Sequence, residues 1–388
     1  MYTLLLALIY LAFISLGLPD SLLGTAWPVM RIEFGLPMSY AGIISMIISG
    51  GTIVSSLMSE RLTKKLGTPA VTVASVFLTA VSLFGFSVSK SFLPLCFLAV
   101  PYGLGAGAID AALNNYVAVH YNSRHMSWLH CFWGVGTIIS PYVMSLALTY
   151  SSWNTGYLTV SVIQVTIALI LLCTLGVWRV NAKKDGLDSE GSSRIIGISG
   201  ALRIKGVPTL LFGFFAYCAA EAIAMLWSAS YLVEARGLSE EIAASLTSLF
   251  FIGMTLGRFI NGFLTAKLQD GAIIRIGTAV SAVGALLVII PIDSPITAIV
   301  GLGLIGLGFA PIYPSIIHST PANFGKENSE AIIGIQMASA YLGTTLMPPL
   351  FGVIADLSTI KLFPIFILGF TALMIVMVEI TAKKTSSD

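Results

Sequence analysis

The sequence predicts an all-α membrane protein of twelve transmembrane helices arranged as two pseudo-symmetric six-helix bundles. Three observations carry that reading. Of the 388 residues, 56% are hydrophobic and 10% charged, against about 25% charged in ordinary soluble domains, so the chain lacks the polar surface that a water-facing globule needs. Apolar runs long enough to cross a hydrocarbon core, roughly 20 residues, recur twelve times along it. The one long polar insertion, VNAKKDGLDSEGSSRIIGISGALRIKGVP, divides those runs six and six.

The runs occupy about 4–30, 39–59, 69–89, 92–119, 127–149, 155–178, 208–233, 241–265, 272–291, 295–318, 330–354 and 361–382. The first, opening MYTLLLALIYLAFISLGL, has no basic start and no small-residue cleavage site, so it reads as a span and not as a signal peptide. The fourth carries the stretch GLGAGAIDAALNNYVAVHY, and the fifth opens as SWLHCFWGVGTIISP. In the tenth, GLGLIG at 301–306 spells a dinucleotide-binding pattern, but no strand precedes it and the glycines read as a close helix crossing. Residues 1–180 form the N-terminal bundle in this reading, 181–207 a cytoplasmic central loop and 208–388 the C-terminal bundle.

Alternating the loops between two sides separates the basic residues unequally. Fifteen lysines and arginines fall on one side, among them Arg61, Lys64, Lys65, Arg124, Arg179, Lys183, Lys184, Lys267 and Arg275. Four, Arg31, Lys90, Arg236 and Lys361, fall on the other. The positive-inside rule then places both termini and the central loop in the cytoplasm, for a multi-pass protein of the cell's cytoplasmic membrane. The halves also repeat. Sliding 35–67 onto 237–269 without a gap pairs Gly35 with Gly237, Leu36 with Leu238, Gly51 with Gly253 and the loop residue Lys65 with Lys267. Parallel six-helix repeats with a solute site near mid-membrane are a common plan among secondary transporters.

Three acids lie deep in the runs: Asp20, Asp110 and Glu221. An ionisable group inside a span is costly and marks a pathway or a proton relay by default. A carboxyl in a low-dielectric interior holds its proton to higher pH than one in water, so such a group can load a proton from one side and release it to the other. The competing reading is a carboxylate hydrogen-bonded between helices for packing. Helical spacing puts Gly103, Gly107, Asp110 and Asn114 on one stripe, with Asn115 pointing elsewhere, and aligns Gly17, Asp20 and Gly24 beside the kinking Pro19. In the seventh run it aligns Tyr217, Glu221 and Ser228.

Arg258, the one base inside a run, is expected to snorkel to the cytoplasmic surface or to pair at a gate there. His130, with Trp133 beside it, reads equally as a ligand contact or a satisfied structural group. A neutral polyol needs amides for its hydroxyls and a flat ring for its C–H face. Asn114, Gln336 and a tryptophan such as Trp227 supply that chemistry, with Gln164, Asn261, Trp27, Tyr231 and Tyr313 as further polar or aromatic residues in or near the runs. The four cysteines sit singly in apolar runs and read as small buried hydrophobes, neither a disulfide frame nor a metal site. No Ser/His/Asp set, phosphate-cradling GK[ST], HExxH or basic tract occurs, which argues against an enzyme, an ATP-driven pump and a nucleic-acid partner.

These stretches, GLPDSLLGTAWP, AIDAALNNY, LHCFWGVGTIISP, CAAEAIAMLWSASYL, GLGFAPIYP and GIQMASAYLGTTLMPP, together resemble the major facilitator superfamily, and within it the fucose permease-like sugar:proton symporters. The resemblance covers nearly the whole chain. It implies a twelve-helix rocker with a central sugar site, the helix 4 acid (Asp110) tied to proton coupling and the helix 1 acid (Asp20) to substrate, with Glu221, Trp227 and Tyr231 matching a family-like set in helix 7. The superfamily's loop 2–3 motif is degenerate here: in ERLTKKLGTP, Lys64 stands where an aspartate is usual, so the cytoplasmic latch built on that acid is expected to be missing or replaced. The expected activity is proton-coupled uptake of a neutral sugar or related polyol by a monomer in the lipid bilayer, without cofactor or metal. The rivals are sodium coupling, a proton-antiport exporter of drugs or metabolites, and a sugar sensor without flux.

Overall fold

The structure, a computed structural model, describes residues 2–37, 40–178, 195–238, 240–290 and 296–385. Among these, eleven helical stretches are long and apolar enough to cross a membrane: Thr3–Trp27, Tyr40–Leu57, Thr68–Val88, Phe92–His120, Ser123–Tyr150, Trp153–Cys173, Val207–Glu234, Asp270–Ile289, Ile296–Phe324, Lys326–Leu357 and Ile360–Thr385. The eighth expected span is the helix Glu240–Leu264, whose apolar portion is the shorter Leu249–Leu264. The chain is thus a multi-pass, all-helical membrane protein. Much of the central loop, including Arg179, Lys183, Lys184 and Arg194, lies outside the described residues.

Clustering of the backbone separates two units, residues 1–116 with 129–197 and residues 117–128 with 198–388. The corner 117–128 groups with the second unit, although chain order places it within the first six spans. In the first unit the third and sixth spans pack along their length; in the second the seventh packs on the eleventh and twelfth, and the ninth and eighth on the tenth.

Glycines set the closest crossings, and they do so in the same way twice. Gly51 sits on the backbone of the fourth span at Val100 and Leu104, and a Cβ on Gly103 would strike the Ile48 carbonyl. At the aligned position Gly253 sits on Gly303 and Leu307 of the tenth span, and a Cβ on Gly306 would strike the Phe250 carbonyl. The aligned Gly35, which caps its helix, and Gly237, three residues past the end of Val207–Glu234, both have positive φ, +66° and +68°, a conformation glycine adopts without a Cβ penalty. The repeat read from the sequence is therefore a repeat of structural duties.

The first span is interrupted. Helix Tyr2–Gly17 stops, Leu18–Ser21 form a turn, and Leu22–Phe34 resumes. Pro19 has no N–H, so it cannot bond the carbonyl one turn before it, that of Ser15. Gln164 of the sixth span supplies the missing donor: its Nε2 donates to Ser15 O and its Oε1 accepts from Ser15 Oγ, each at 2.5 Å. Pro141 similarly leaves the Thr137 carbonyl unbonded, and Ser21 Oγ donates to it at 3.0 Å. Two proline-made vacancies in the backbone ladder are thus filled across helices, as a low-dielectric surrounding requires. The sequence-based stripe of Gly17, Asp20 and Gly24 is corrected accordingly: Asp20 is in the turn, Gly17 abuts the Trp133 carbonyl, and Gly24 has nothing near it.

The loop between the second and third spans carries its own acid. Glu60, buried to 4% exposure, pairs with Lys64 at 2.9 Å and accepts the amides of Ile196 (3.0 Å) and Gly197 (2.9 Å). Lys64, standing in the place of the usual aspartate, is held by an acid one helical turn earlier, and that acid clasps the end of the central segment.

Candidate functional site

In the first unit the break in span one carries Asp20 out of the helical ladder and leaves its carboxylate exposed. Two donors orient it. Trp133 Nε1 of the fifth span donates to Oδ2 at 2.9 Å, and Tyr102 OH of the fourth donates to Oδ1 at a long 3.5 Å. Each oxygen keeps a lone pair for a further donor. The close passage of Gly17 and Gly136 against the facing backbones of spans five and one, where a Cβ on either would strike a carbonyl, lets the indole reach the carboxylate. Asp20 and Trp133 are thus brought together, and Tyr102 is a partner that the sequence reading missed; as an aromatic in an apolar run it gave no signal.

Asp110 differs in every respect. It is 5% exposed on the helix Phe92–His120, one turn before the fully buried Asn114. Asn114 Nδ2 donates to both the Asp110 carboxylate (Oδ1, 2.8 Å) and its backbone carbonyl (2.9 Å). Two acceptors on that side fix the amide's orientation, so Oδ1 faces the other way, toward His130 Nε2 at 3.1 Å. An amide oxygen only accepts, so that ring nitrogen bears the hydrogen. Phe13 of the first span meets the imidazole edge-on at 5.6 Å between ring centres. The stripe reading was right for Asp110 and Asn114, and His130 is a bonded member of the same buried row.

In the second unit Glu221 pairs with Arg258, Oε1 to Nη2 at 3.3 Å, with side chains 13% and 9% exposed. The expectation that Arg258 snorkels to a surface is therefore corrected: the carboxylate on the seventh span holds it inside. Burying either charge alone is expensive, and pairing offsets that cost. Trp227 donates Nε1 to the Pro348 carbonyl at 2.9 Å and lies against Gly352 and Phe351. Tyr313 follows the turn at Ala310–Pro311 in the tenth span, with its ring on Phe214 (4.8 Å) and its hydroxyl 3.2 Å from Met337 Sδ. Gln336 is fully buried and its Oε1 accepts from Thr320 Oγ1 at 3.0 Å, while its Nε2 has no partner. Tyr231, also noted in the sequence, donates to the Val288 carbonyl at 2.9 Å.

The arrangement divides by chemistry. One exposed carboxylate carries an indole beside it, one buried carboxylate is joined to an imidazole through an amide, and one buried ion pair holds its own charges. Among the described residues no group of three or more His, Cys, Asp or Glu is placed to hold a metal ion.

Comparison with known proteins agrees with the fold. The family model of the Major Facilitator Superfamily matches residues 9–243 and 209–387. An MFS-type transporter of Yersinia pestis is 26% identical over 379 residues, covering 96% of this chain and 94% of its own length. The glucose/mannose transporter GlcP of Bacillus subtilis is 22% identical over 380 residues, with coverages of 96% and 93%. FucP, the fucose:proton symporter of E. coli, crystallised in its outward conformation, superposes with a TM-score of 0.79 at 17% identity, covering 97% of this chain and 98% of that one. At that identity the superposition speaks to the fold alone.

Proposed function

The chain belongs to the Major Facilitator Superfamily, a family of transporters and not of enzymes, and from that premise we propose that it imports a neutral sugar or related polyol together with a proton by alternating access. The observation that carries the reading is the contrast between two carboxylates in one unit: Asp20, exposed at a break in its span beside an indole, and Asp110, buried in a row with Asn114 and His130. Asp20 accepts from substrate hydroxyls while Trp133 offers a flat ring to the sugar's C–H face. Asp110 is the buried coupling group, hydrogen-bonded through Asn114 to His130, and Asp20 is the exposed acid that takes the proton up from water as well as meeting substrate. That GlcP is a glucose/mannose transporter and FucP a fucose:proton symporter supports a sugar as the substrate class and a proton as the coupling ion.

In the second unit the unpartnered Nε2 of Gln336 is a donor for a substrate oxygen, with Tyr313 as the ring beside it; Trp227, bonded to Pro348 about three turns along the same helix, is a separate candidate ring. Glu221 contributes to coupling or binding through its pair with Arg258, whose opening makes Arg258 a gate residue. The protein works in this reading as a monomer in the cytoplasmic membrane, with both termini cytoplasmic.

The test is uptake in proteoliposomes over a panel of hexoses, pentoses and deoxysugars, with an imposed pH gradient, with a sodium gradient and with neither. Accumulation of one sugar above its outside concentration is expected with the pH gradient alone. Accumulation driven only by sodium removes the proton, and indifference to every sugar removes the substrate class.

A further inference from the structure

The fourth span ends at His120 and the fifth begins at Ser123, so the chain turns between them through Tyr121 and Asn122 alone. This corner, grouped with the second unit, is held there by a set of bonds that the transport site does not use. Asp270, the first residue of the ninth span, accepts from Ser123 Oγ through Oδ1 at 2.5 Å. Its Oδ2 lies 2.6 Å from His318 Nδ1. The other ring nitrogen, His318 Nε2, lies 3.0 Å from the Tyr121 carbonyl. Arg124 Nε donates to the Gly262 carbonyl at 3.1 Å, Asn261 Nδ2 donates to Ser127 Oγ at 2.7 Å, and the Trp128 indole lies over Gly262 where a Cβ would strike it.

The chemistry of the pair is restrictive. A carbonyl oxygen only accepts, so His318 Nε2 carries a hydrogen. The contact between Nδ1 and Oδ2 then needs a second hydrogen, on the ring or on the carboxyl. Imidazolium facing carboxylate satisfies every atom. Remove that one proton and a nitrogen lone pair faces a carboxylate oxygen, so the two residues that hold the corner, Asp270 through Ser123 and His318 through Tyr121, repel each other. Asp270 is the charged group acting on the ring, and the Tyr121 carbonyl is the neutral one. Of the other titratable groups on the corner, Arg124 is turned to Gly262 and His125 lies between the Tyr121 and Trp128 rings.

We propose that His318 and Asp270 are gating residues: a proton-operated latch that pins the corner when the pair holds its proton and frees it when the proton leaves. The ends of the two spans it pins are continuous with the candidate site. Asn114 and His130 each lie about two helical turns from the corner, on unbroken helices that end in it. Freeing the corner therefore releases both spans that carry the buried row. Loss of the proton at higher pH opens the latch, and gain of it at lower pH closes it. The latch rests on the transport reading only for its place in the cycle, because its opening is measurable without any substrate.

The experiment uses the full-length protein in lipid nanodiscs with Cys96, Cys131, Cys173 and Cys218 replaced by serine. Spin labels are placed at the exposed Asn122 and Lys267 through Asn122→Cys and Lys267→Cys, and their separation is measured by pulsed electron resonance between about pH 5 and about pH 8, the range in which histidine changes charge. A short separation at acidic pH giving way to a longer one at alkaline pH is expected. His318→Gln and Asp270→Asn are each expected to lose that pH response entirely. The proposal is overturned if the unsubstituted pair shows one separation throughout, or if H318Q keeps the full response. Should neither variant be recovered as a monodisperse protein, the titration of the parent decides alone. A flat titration in a protein that still accumulates sugar with protons removes the latch and spares the transport reading; a responsive corner without sugar uptake does the reverse.

Discussion

At the residue scale the protein separates three acids that a sequence treats alike. Rarity alone exposes Asp20, Asp110 and Glu221, because an acid in an apolar run is conspicuous. Their pairings are not conspicuous. Tyr102, Trp133 and Arg258 approach from other spans, and nothing in local spacing says which face of one helix meets which face of another. Arg258 shows the consequence. Its place near a run's end suggests an escape to the surface, yet Glu221 offers a shorter route to neutrality. The pair makes a sharp prediction. Arg258→Ala leaves a buried carboxylate without its counter-charge and is expected to destabilise by about 3–5 kcal/mol, while Glu221→Gln combined with Arg258→Gln recovers most of that loss, both read as detergent melting temperatures. A double variant no more stable than the single one would show that the ion pair is not the cause. Asp110→Asn tests the other buried acid. Exchange of labelled for unlabelled sugar is expected to persist in proteoliposomes while accumulation against a gradient is lost; accumulation at the parental level would remove Asp110 from coupling.

At the element scale, helices with prolines inside them remain whole because other helices finish their hydrogen bonds. Gln164 was readable only as an amide in an apolar run. Its duty toward the Ser15 carbonyl becomes apparent once Pro19 is seen to lack the donor and the sixth span is seen to lie alongside. The glycines were more legible, since small residues at helical spacing announce close approach. Their exact partners were not: of three glycine and acid positions aligned on span one, only Gly17 makes the crossing. Gly17→Leu is therefore expected to force the first and fifth spans apart and cost about 1–3 kcal/mol, the usual range for overpacking, whereas Gly24→Leu, with nothing within 4 Å of its position, is expected to leave the melting temperature unchanged. Equal melting temperatures for the two variants would contradict the crossing.

For the whole molecule, composition and the six-and-six division of apolar runs were enough to reach a twelve-span plan, because a membrane imposes length and polarity on every element that crosses it. Among the described residues, the eighth span falls short of the others by apolar length. The corner that joins the second unit was hidden for a different reason: Asp270 stands at a helix start and His318 alone on its helix, both unremarkable places, and only tertiary structure brings them together. The turn at Leu18–Ser21 carries one more consequence. Halfway along Tyr2–Phe34 it presents an exposed carboxylate and backbone outside the helical ladder, which at membrane depth implies water beside it. Wet passages conduct, so the transmembrane voltage falls across whatever dry layer remains. A proton reaching Asp20 through water has met little of that voltage, worth about 2.3 kcal/mol per charge for each 100 mV, and meets the rest as the carrier reorients. Clamping the liposome potential should accordingly change turnover while leaving the apparent proton affinity of uptake fixed; an affinity that follows the potential would mean that the ion crosses a narrow electrical well before it binds.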